Sequence, residues 1–318
     1  MKISITGGNG FIGRNLVGAL SQRGCSIKML SRRADCGLPP GVQKIQGDLV
    51  SVDCPMNQFV ADSEIIFHCA GEVRDEATMR LLHVDATQRL LDATLDEASR
   101  RGRIIHWVQL SSAGAYGPPP DGAHSERIVT EETKTIPVGE YEITKTIADE
   151  RVIRACESDL MTYSIVRPSN VYGRNMPNQS LRALSNMIRK RLFFYIGKPG
   201  AVATYVHVND VVEVLLRCGL DKRARGEIFN ISNDCMLEDL INGIAQSTNV
   251  PPPRLRVPEP LVRTTVSLIE MVATIPLTQK RIDALVSRTR YPCHKLESKL
   301  DYRPKVTVVN SIEEALLA

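Results

Sequence analysis

The 318-residue chain carries 40 basic and 36 acidic residues, a formal charge of +4, and 43% hydrophobic residues. That is ample for one large or two intimately joined domains, and it leaves no charge excess pointing to nucleic acid. Eight cysteines without a CxxC pair argue against a zinc or redox motif and fit reduced thiols in a cytosolic protein; no apolar run reaches a membrane span, and the N-terminus lacks a secretory h-region.

Lys2–Ile5 reads as a short buried strand, and Arg14–Leu20 as a helix with apolar residues three and four apart. Between them lies Thr6-Gly7-Gly8-Asn9-Gly10-Phe11-Ile12-Gly13. Strand, glycine turn and helix present backbone N–H groups and a helix N-terminus to a diphosphate. Gly7 permits the tight turn, Gly10 lets a phosphate approach, and Gly13 lets helix and strand pack closely. A second strand over Ser26–Leu30 ends at Ser31-Arg32-Arg33. An acid at this position binds the 2′-hydroxyl of NAD, whereas arginine accommodates the 2′-phosphate of NADP. Two arginines and no acid point to NADP, with NAD still possible; a solvated turn is the plain alternative.

Val42–Ile45 is expected as a strand leading into Gly47-Asp48-Leu49, and Glu64–Gly71 as a strand ending in His68-Cys69-Ala70-Gly71, whose small residues leave room for a flat ligand or simply pack closely. Val84–Thr94 reads as helix, and Ile104–Leu110 as a strand delivering Ser111-Ser112-Ala113-Gly114-Ala115-Tyr116-Gly117. The polar run to Thr135 reads as irregular. A helix from Tyr141 to about Cys156 places Tyr141 and Lys145 on one face. Met161–Val166 is the next strand, ending in Arg167-Pro168-Ser169-Asn170. Strands alternating with helices predict a parallel sheet covered on both faces.

Beyond Gly173 the rhythm changes. Residues 180–191 form a basic helix, Val211–Cys218 and Leu237–Ser247 read as helices, and Glu227–Ile231 as a strand. The apolar segment 261–275 is expected as a buried helix, with a membrane-surface or partner helix as the alternative. A phenol is a poor acid–base group near neutrality, and a lysine one turn away favours the phenolate and lowers its pKa. A second YxxxK match, Tyr291 to Lys295, has a proline after the tyrosine and reads as chance.

Taken together, TGGNGFIG, GDL, FHCAG, the serine pair with Tyr116-Gly117, YEITK, RPSNVYG and YVHVNDVV resemble an extended short-chain dehydrogenase/reductase of the nucleotide-sugar epimerase/dehydratase kind. The resemblance spans essentially the whole chain. It implies an α/β, Rossmann-like doubly wound parallel sheet with a smaller, interleaved C-terminal α+β substrate domain. The NAD(P)-binding domain would take residues 1–173 with 206–235 returning to it, and the substrate domain 174–205 and 236–318. Ser112, Tyr141 and Lys145 would be the catalytic set. Cofactor contacts would come from Gly7, Gly10, Phe11, Ile12, Gly13, Ser31, Arg32, Arg33, Asp48, Leu49, Ala70, Gly71 and Pro168, with Tyr141 and Lys145. Asn170 would sit at the substrate entrance, with Ser112 also on the substrate. One or two of the basic residues Arg182, Arg189, Lys190, Lys198, Arg254 and Arg256 are expected as a diphosphate clamp, with Arg182 and Arg254 as the candidates and the rest as ordinary surface charges. No metal site is expected. A homodimer through the YxxxK helix is expected by analogy, as are a small-molecule substrate, no nucleic acid, no membrane span and a cytoplasmic location.

Three departures bear on activity. Ser31 replaces the acid of NAD-using members. His83 and Ala86 stand in HVDAT where the family commonly has asparagine and glycine, and His83 is either a hydrogen-bonding group or a helix-surface residue. Ser112 is followed by Ala113-Gly114, without the acidic pair of the sugar 4,6-dehydratases, which argues against dehydration. The expected activity is therefore a sugar-nucleotide 4-epimerase or keto-sugar reductase. A hydroxysteroid- or flavanone-type NADP reductase with an apolar pocket, and a non-catalytic cofactor-binding regulator, are the alternatives.

Overall fold

The computed structural model describes residues 1–33, 38–119, 122, 124–177, 179–270 and 277–316. Seven strands form one sheet: β1 (Lys2–Thr6), β2 (Ser26–Ser31), β3 (Val42–Gln46), β4 (Ile65–His68), β5 (Ile105–Leu110), β6 (Met161–Pro168) and β7 (Glu227–Ile231). They are all parallel, in the order β3-β2-β1-β4-β5-β6-β7. The order reverses between β1 and β4, which opens a crevice at their carboxyl ends.

The helices used below are α1 (Phe11–Gln22), α2 (Thr87–Arg101), α3 (Glu140–Ala155), α4 (Ser180–Arg189), α5 (Val208–Leu220), α6 (Leu237–Ser247), α7 (Glu259–Glu270) and α8 (Gln279–Val286). Strand alternation divides the core. Phe67 packs with α1 and α5 residues such as Leu16 and Val211 on one face. Its neighbour Ile66 packs with Leu90 and Val152 of α2 and α3 on the other. All six residues of β5 are buried, as a strand covered on both faces requires.

A third cluster joins Leu181, Ile188, Phe193, Leu240 and Ile244 beyond the sheet. Two-strand pairings brace it, among them Tyr195–Ile196 with Arg256–Val257. Two expectations change. The polar run before Thr135 contains a strand, Glu126–Ile128, paired with Arg288–Arg290; pairing to a distant segment overrides weak local propensity. The apolar segment is a half-buried helix: in α7 only Val262 and Val266 are buried, while Leu261 and Leu268 are exposed. Residues 271–276 of that segment lie outside the described residues. Among the described residues no helix is long and apolar enough to cross a membrane, and no three metal-ligating side chains gather.

Helix α3 is tied to the sheet's carboxyl end. Asp149 Oδ2 accepts from Ser111 Oγ at 2.7 Å and from Arg167 Nε and Nη2 at 3.1 and 3.0 Å. Arg167 lies over the Tyr116 ring, and the Tyr116 hydroxyl donates to Asn230 Oδ1 at 2.8 Å. The ends of β5 and β6 thus meet on one buried carboxylate, and β7 is joined to them through Tyr116. Removing one partner of a buried ion pair strands the other. Arg167→Leu is expected to cost about 3–5 kcal/mol in urea unfolding, and Asp149→Leu/Arg167→Leu less than that single change. A loss under about 1 kcal/mol for Arg167→Leu would mean that the pair does not anchor α3.

Candidate active site

The glycine turn sits at the crevice. Gly7 has φ +68°, and a Cβ there would lie 2.5 Å from the Cys69 carbonyl oxygen; one on Gly13 would lie 2.1 Å from the Gly7 oxygen. Neither position tolerates a side chain. The Gly10 N–H closes the turn on the Gly7 carbonyl at 2.9 Å. Gly10 also caps α1, with no side chain bonded to the first turn. Small residues, a tight turn and an open helix N-terminus fit a diphosphate, as a nicotinamide dinucleotide requires. Phe11, Ile12 and Gly13 supply that first turn.

At the end of β2, Ser31 is buried, and its hydroxyl accepts from Asn9 Nδ2 at 2.7 Å and from the Arg33 N–H at 3.2 Å. It braces the glycine turn against the strand end. Arg32 is exposed, 4.0 Å from Asp48 Oδ2. Leu49 is buried behind Asp48. The chemistry at this edge is an exposed guanidinium, of a kind that fits a phosphate.

On the other side of the crevice, Lys145 Nζ donates to the Leu110 carbonyl at 2.8 Å and the Ala70 carbonyl at 3.3 Å. The ammonium therefore joins the ends of β5 and β4 and flanks Gly71, whose Cβ position lies 3.5 Å from it. Burial lowers its pKa, and the Asp149 carboxylate one turn on opposes that shift. Tyr141 opens the same helix. Its phenol is pushed up to about 12, by burial first and then by the Glu142 and Asp149 carboxylates. The lowering expected from Lys145 is not what dominates, because burial acts on the phenol and the ammonium is held by strand-end carbonyls. Ser112 caps the turn Ala113–Tyr116, its oxygen accepting from the Gly114 N–H at 3.1 Å. Glu142 and Ser112 both crowd Gly114, which brings the serine to the start of α3. Pro168 is buried at the end of β6.

His83 is not a surface residue. It is buried in a π-helical turn, Leu81–Ala86, just ahead of α2. Its Nε2 accepts from the Glu72 N–H at 2.9 Å, and Nδ1 lies 2.8 Å from Thr144 Oγ1. A backbone N–H only donates, so Nδ1 carries the proton and gives it to Thr144, whose hydroxyl donates on to the Glu140 carbonyl at 2.7 Å. Burial, with Lys145 nearby, lowers the His83 pKa to about 3. The imidazole is a neutral strut between the loop after β4 and the YxxxK helix. Thr144 went unnoticed in the sequence; the histidine in HVDAT was its only signal.

A cavity of about 490 Å³ opens beyond Asn170. Phe193, Phe194, Leu184, Leu240 and Leu285 line it, with Thr204, Tyr205 and Arg281 among the polar groups. Asn170 is exposed at its edge, its Nδ2 donating to the Thr204 carbonyl at 3.0 Å. The expected clamp is placed differently. Arg254 is exposed on the connector before Arg256, and Arg182 lies on α4 with Nε and Nη2 buried; neither lines the cavity. Arg281, on α8, is the cation among the described lining residues. No spacing motif marks it, because α8 reaches the cavity only through tertiary packing. The second YxxxK match is structural: Lys295 pairs with Glu227 at 2.9 Å and the Tyr291 N–H donates to Asp234.

A family model described as the NAD dependent epimerase/dehydratase family matches residues 3–232. The chain is 30% identical over 274 residues to sterol demethylase protein B of Methylococcus capsulatus, covering 83% of this chain and 79% of that protein. It is 26% identical to dTDP-6-deoxy-L-talose 4-dehydrogenase (NAD(P)(+)) of Kitasatospora kifunensis, covering 81% and 83%. The crystal structure of a UDP-glucose 4-epimerase from Thermotoga maritima, with UDP-glucose, has a TM-score of 0.75 at 19% identity, covering 99% of this chain and 97% of that one; at that identity the likeness concerns the fold.

The strand-end arginine gives a test of cofactor choice. Only NADP carries the 2′-phosphate, so Arg32→Ala is expected to weaken NADP binding about tenfold, the loss of one charge-assisted hydrogen bond, and to leave NAD binding unchanged. Titration of both cofactors by fluorescence checks this; equal losses would remove Arg32 from the phosphate site.

Proposed function

The chain belongs to the NAD dependent epimerase/dehydratase family, and from that premise we propose that it reduces a keto-sugar nucleotide, interconverting a secondary alcohol and a ketone. It is an NAD(P)-binding enzyme. The observation that supports the finer reading is Lys145 held on the ends of β5 and β4 by the helix that Tyr141 opens, with Ser112 set against the start of that helix, beside a glycine cradle and a cavity with aromatic walls and one arginine. Aromatic walls suit a flat base, and Arg281 suits a diphosphate.

Within the glycine cradle, a bound nicotinamide dinucleotide supplies the hydride for ketone reduction or accepts it in alcohol oxidation. The protein's part is the proton. With its phenol up at about 12, Tyr141 is protonated near neutrality and acts as an acid toward the carbonyl oxygen. Ser112 takes its backbone N–H from Gly114, which leaves its own O–H to hold the same oxygen. Lys145 fixes the strand ends against which both groups are set, and its charge favours the phenolate that remains after proton transfer.

A second reading is favoured by the apolar share of the cavity lining and by the likeness to sterol demethylase protein B. There the substrate is a bulky apolar ketone, and Arg281 holds no phosphate. The two separate in NADPH-oxidation assays with dTDP-4-keto-6-deoxyglucose and with 5α-cholestan-3-one, alongside conversion of UDP-glucose to UDP-galactose as the epimerase arm. Turnover of the keto-sugar nucleotide alone is expected; turnover of the steroid alone would replace the first reading with the second. Tyr141→Phe is expected to lower kcat by about 10²–10⁴. Unchanged turnover would remove the phenol from the chemistry.

The direction of reaction sets the pH dependence. Reduction uses the protonated phenol, present below its pKa, so its rate is expected to stay flat from about pH 6 to 8. Oxidation uses the phenolate, whose fraction rises about tenfold per unit as pH approaches the pKa. Initial rates in both directions across that range measure this.

A further inference from the structure

We propose that the rim of the cavity on α4 and the Arg254–Leu255 connector is a docking surface for an anionic membrane. From Pro177 to Leu192 the chain carries four basic residues and no acidic one, and the connector from Thr248 to Val257 adds Arg254 and Arg256, again with no acid. Arg189, Lys190, Arg191 and Arg254 are all exposed. None of these four forms a salt bridge among the described residues, whereas Arg256 is paired with Glu238 at 2.9 Å. Apolar side chains stand among these charges. Leu192 is 61% and Leu255 64% exposed.

The fold makes this one surface. The Leu192 N–H donates to the Met187 carbonyl, and the Tyr195 N–H to the Leu255 carbonyl, each at 2.9 Å. The end of α4 and the connector therefore lie side by side. Met187 is itself part exposed and lines the cavity, so the patch borders the cavity mouth. Exposed leucines inside an unneutralised basic field match an interfacial site: the cations meet anionic headgroups while the leucines enter the acyl boundary. A polyanion such as RNA would use the charges and leave the leucines without a role, because they cannot stack on bases.

The test is co-sedimentation of the full chain with vesicles of phosphatidylcholine alone and of phosphatidylcholine with phosphatidylserine at about 30 mol%, a composition on the anionic scale of cytoplasmic leaflets. Binding to the serine-containing vesicles only, weakened by added salt, is expected. Each basic side chain is worth about fivefold there, so Lys190→Gln/Arg191→Gln is expected to lose about twenty-five-fold. Leu192→Ser/Leu255→Ser is expected to lose vesicle binding as well, while any binding to poly(U) is retained. No preference for the anionic vesicles, or loss on removing the charges but none on removing the leucines, would overturn the proposal. Thermal melts and NADP binding check that each variant is folded, and neither readout depends on the substrate named above.

Discussion

The helix that carries Tyr141 and Lys145 is referred to one buried carboxylate. Asp149 lies one helical turn beyond Lys145 and takes hydrogen bonds from Ser111 and Arg167. A charge in that place is tolerable only because it is paired and bonded. The consequence is positional. The helix carrying Tyr141 and Lys145 is held against the ends of the strands that lead to Ser112 and Pro168.

The ends of the crevice differ in how they are held. The glycine side is set by exclusion, since any Cβ on Gly7 or Gly13 would enter a backbone atom's space. The lysine side is set by attraction, through carbonyl oxygens at the ends of two neighbouring strands. Both work through backbone atoms, which are the least mobile references a fold offers. The cavity beyond Asn170 is built on side-chain packing from α4, α6 and α8.

The sheet was legible because its signals are local. Buried strands, glycine turns and amphipathic helices recur at short spacing, and the seven strands stand close to where periodicity puts them. The strand at Glu126–Ile128 was hidden, since its partner lies at Arg288–Arg290 and its three residues carry two charges and no buried apolar side chain. Arg182 and Arg254 look like clamp residues in a sequence because they are basic and follow Asn170; in space one is turned into α4's packing and the other faces solvent. Arg281 looks like nothing in the sequence and stands at the cavity wall. His83 shows the same limit: the departure in HVDAT was visible, but its burial and its link to Thr144 depend on a helix more than fifty residues later.

The π-helical turn at Leu81–Ala86 has a consequence for chain length. Such a turn holds one residue more than an α-helix needs for the same path. If the same residues ran on as regular α instead, everything on one side of the turn would rotate by roughly 100° against the other. His83 and the α2 stripe with Leu90 and Leu91 could not then both face inward. The wide turn absorbs the extra residue as a phase correction, allowing one continuous helical stretch to bury an imidazole toward the crevice and a leucine stripe toward the sheet.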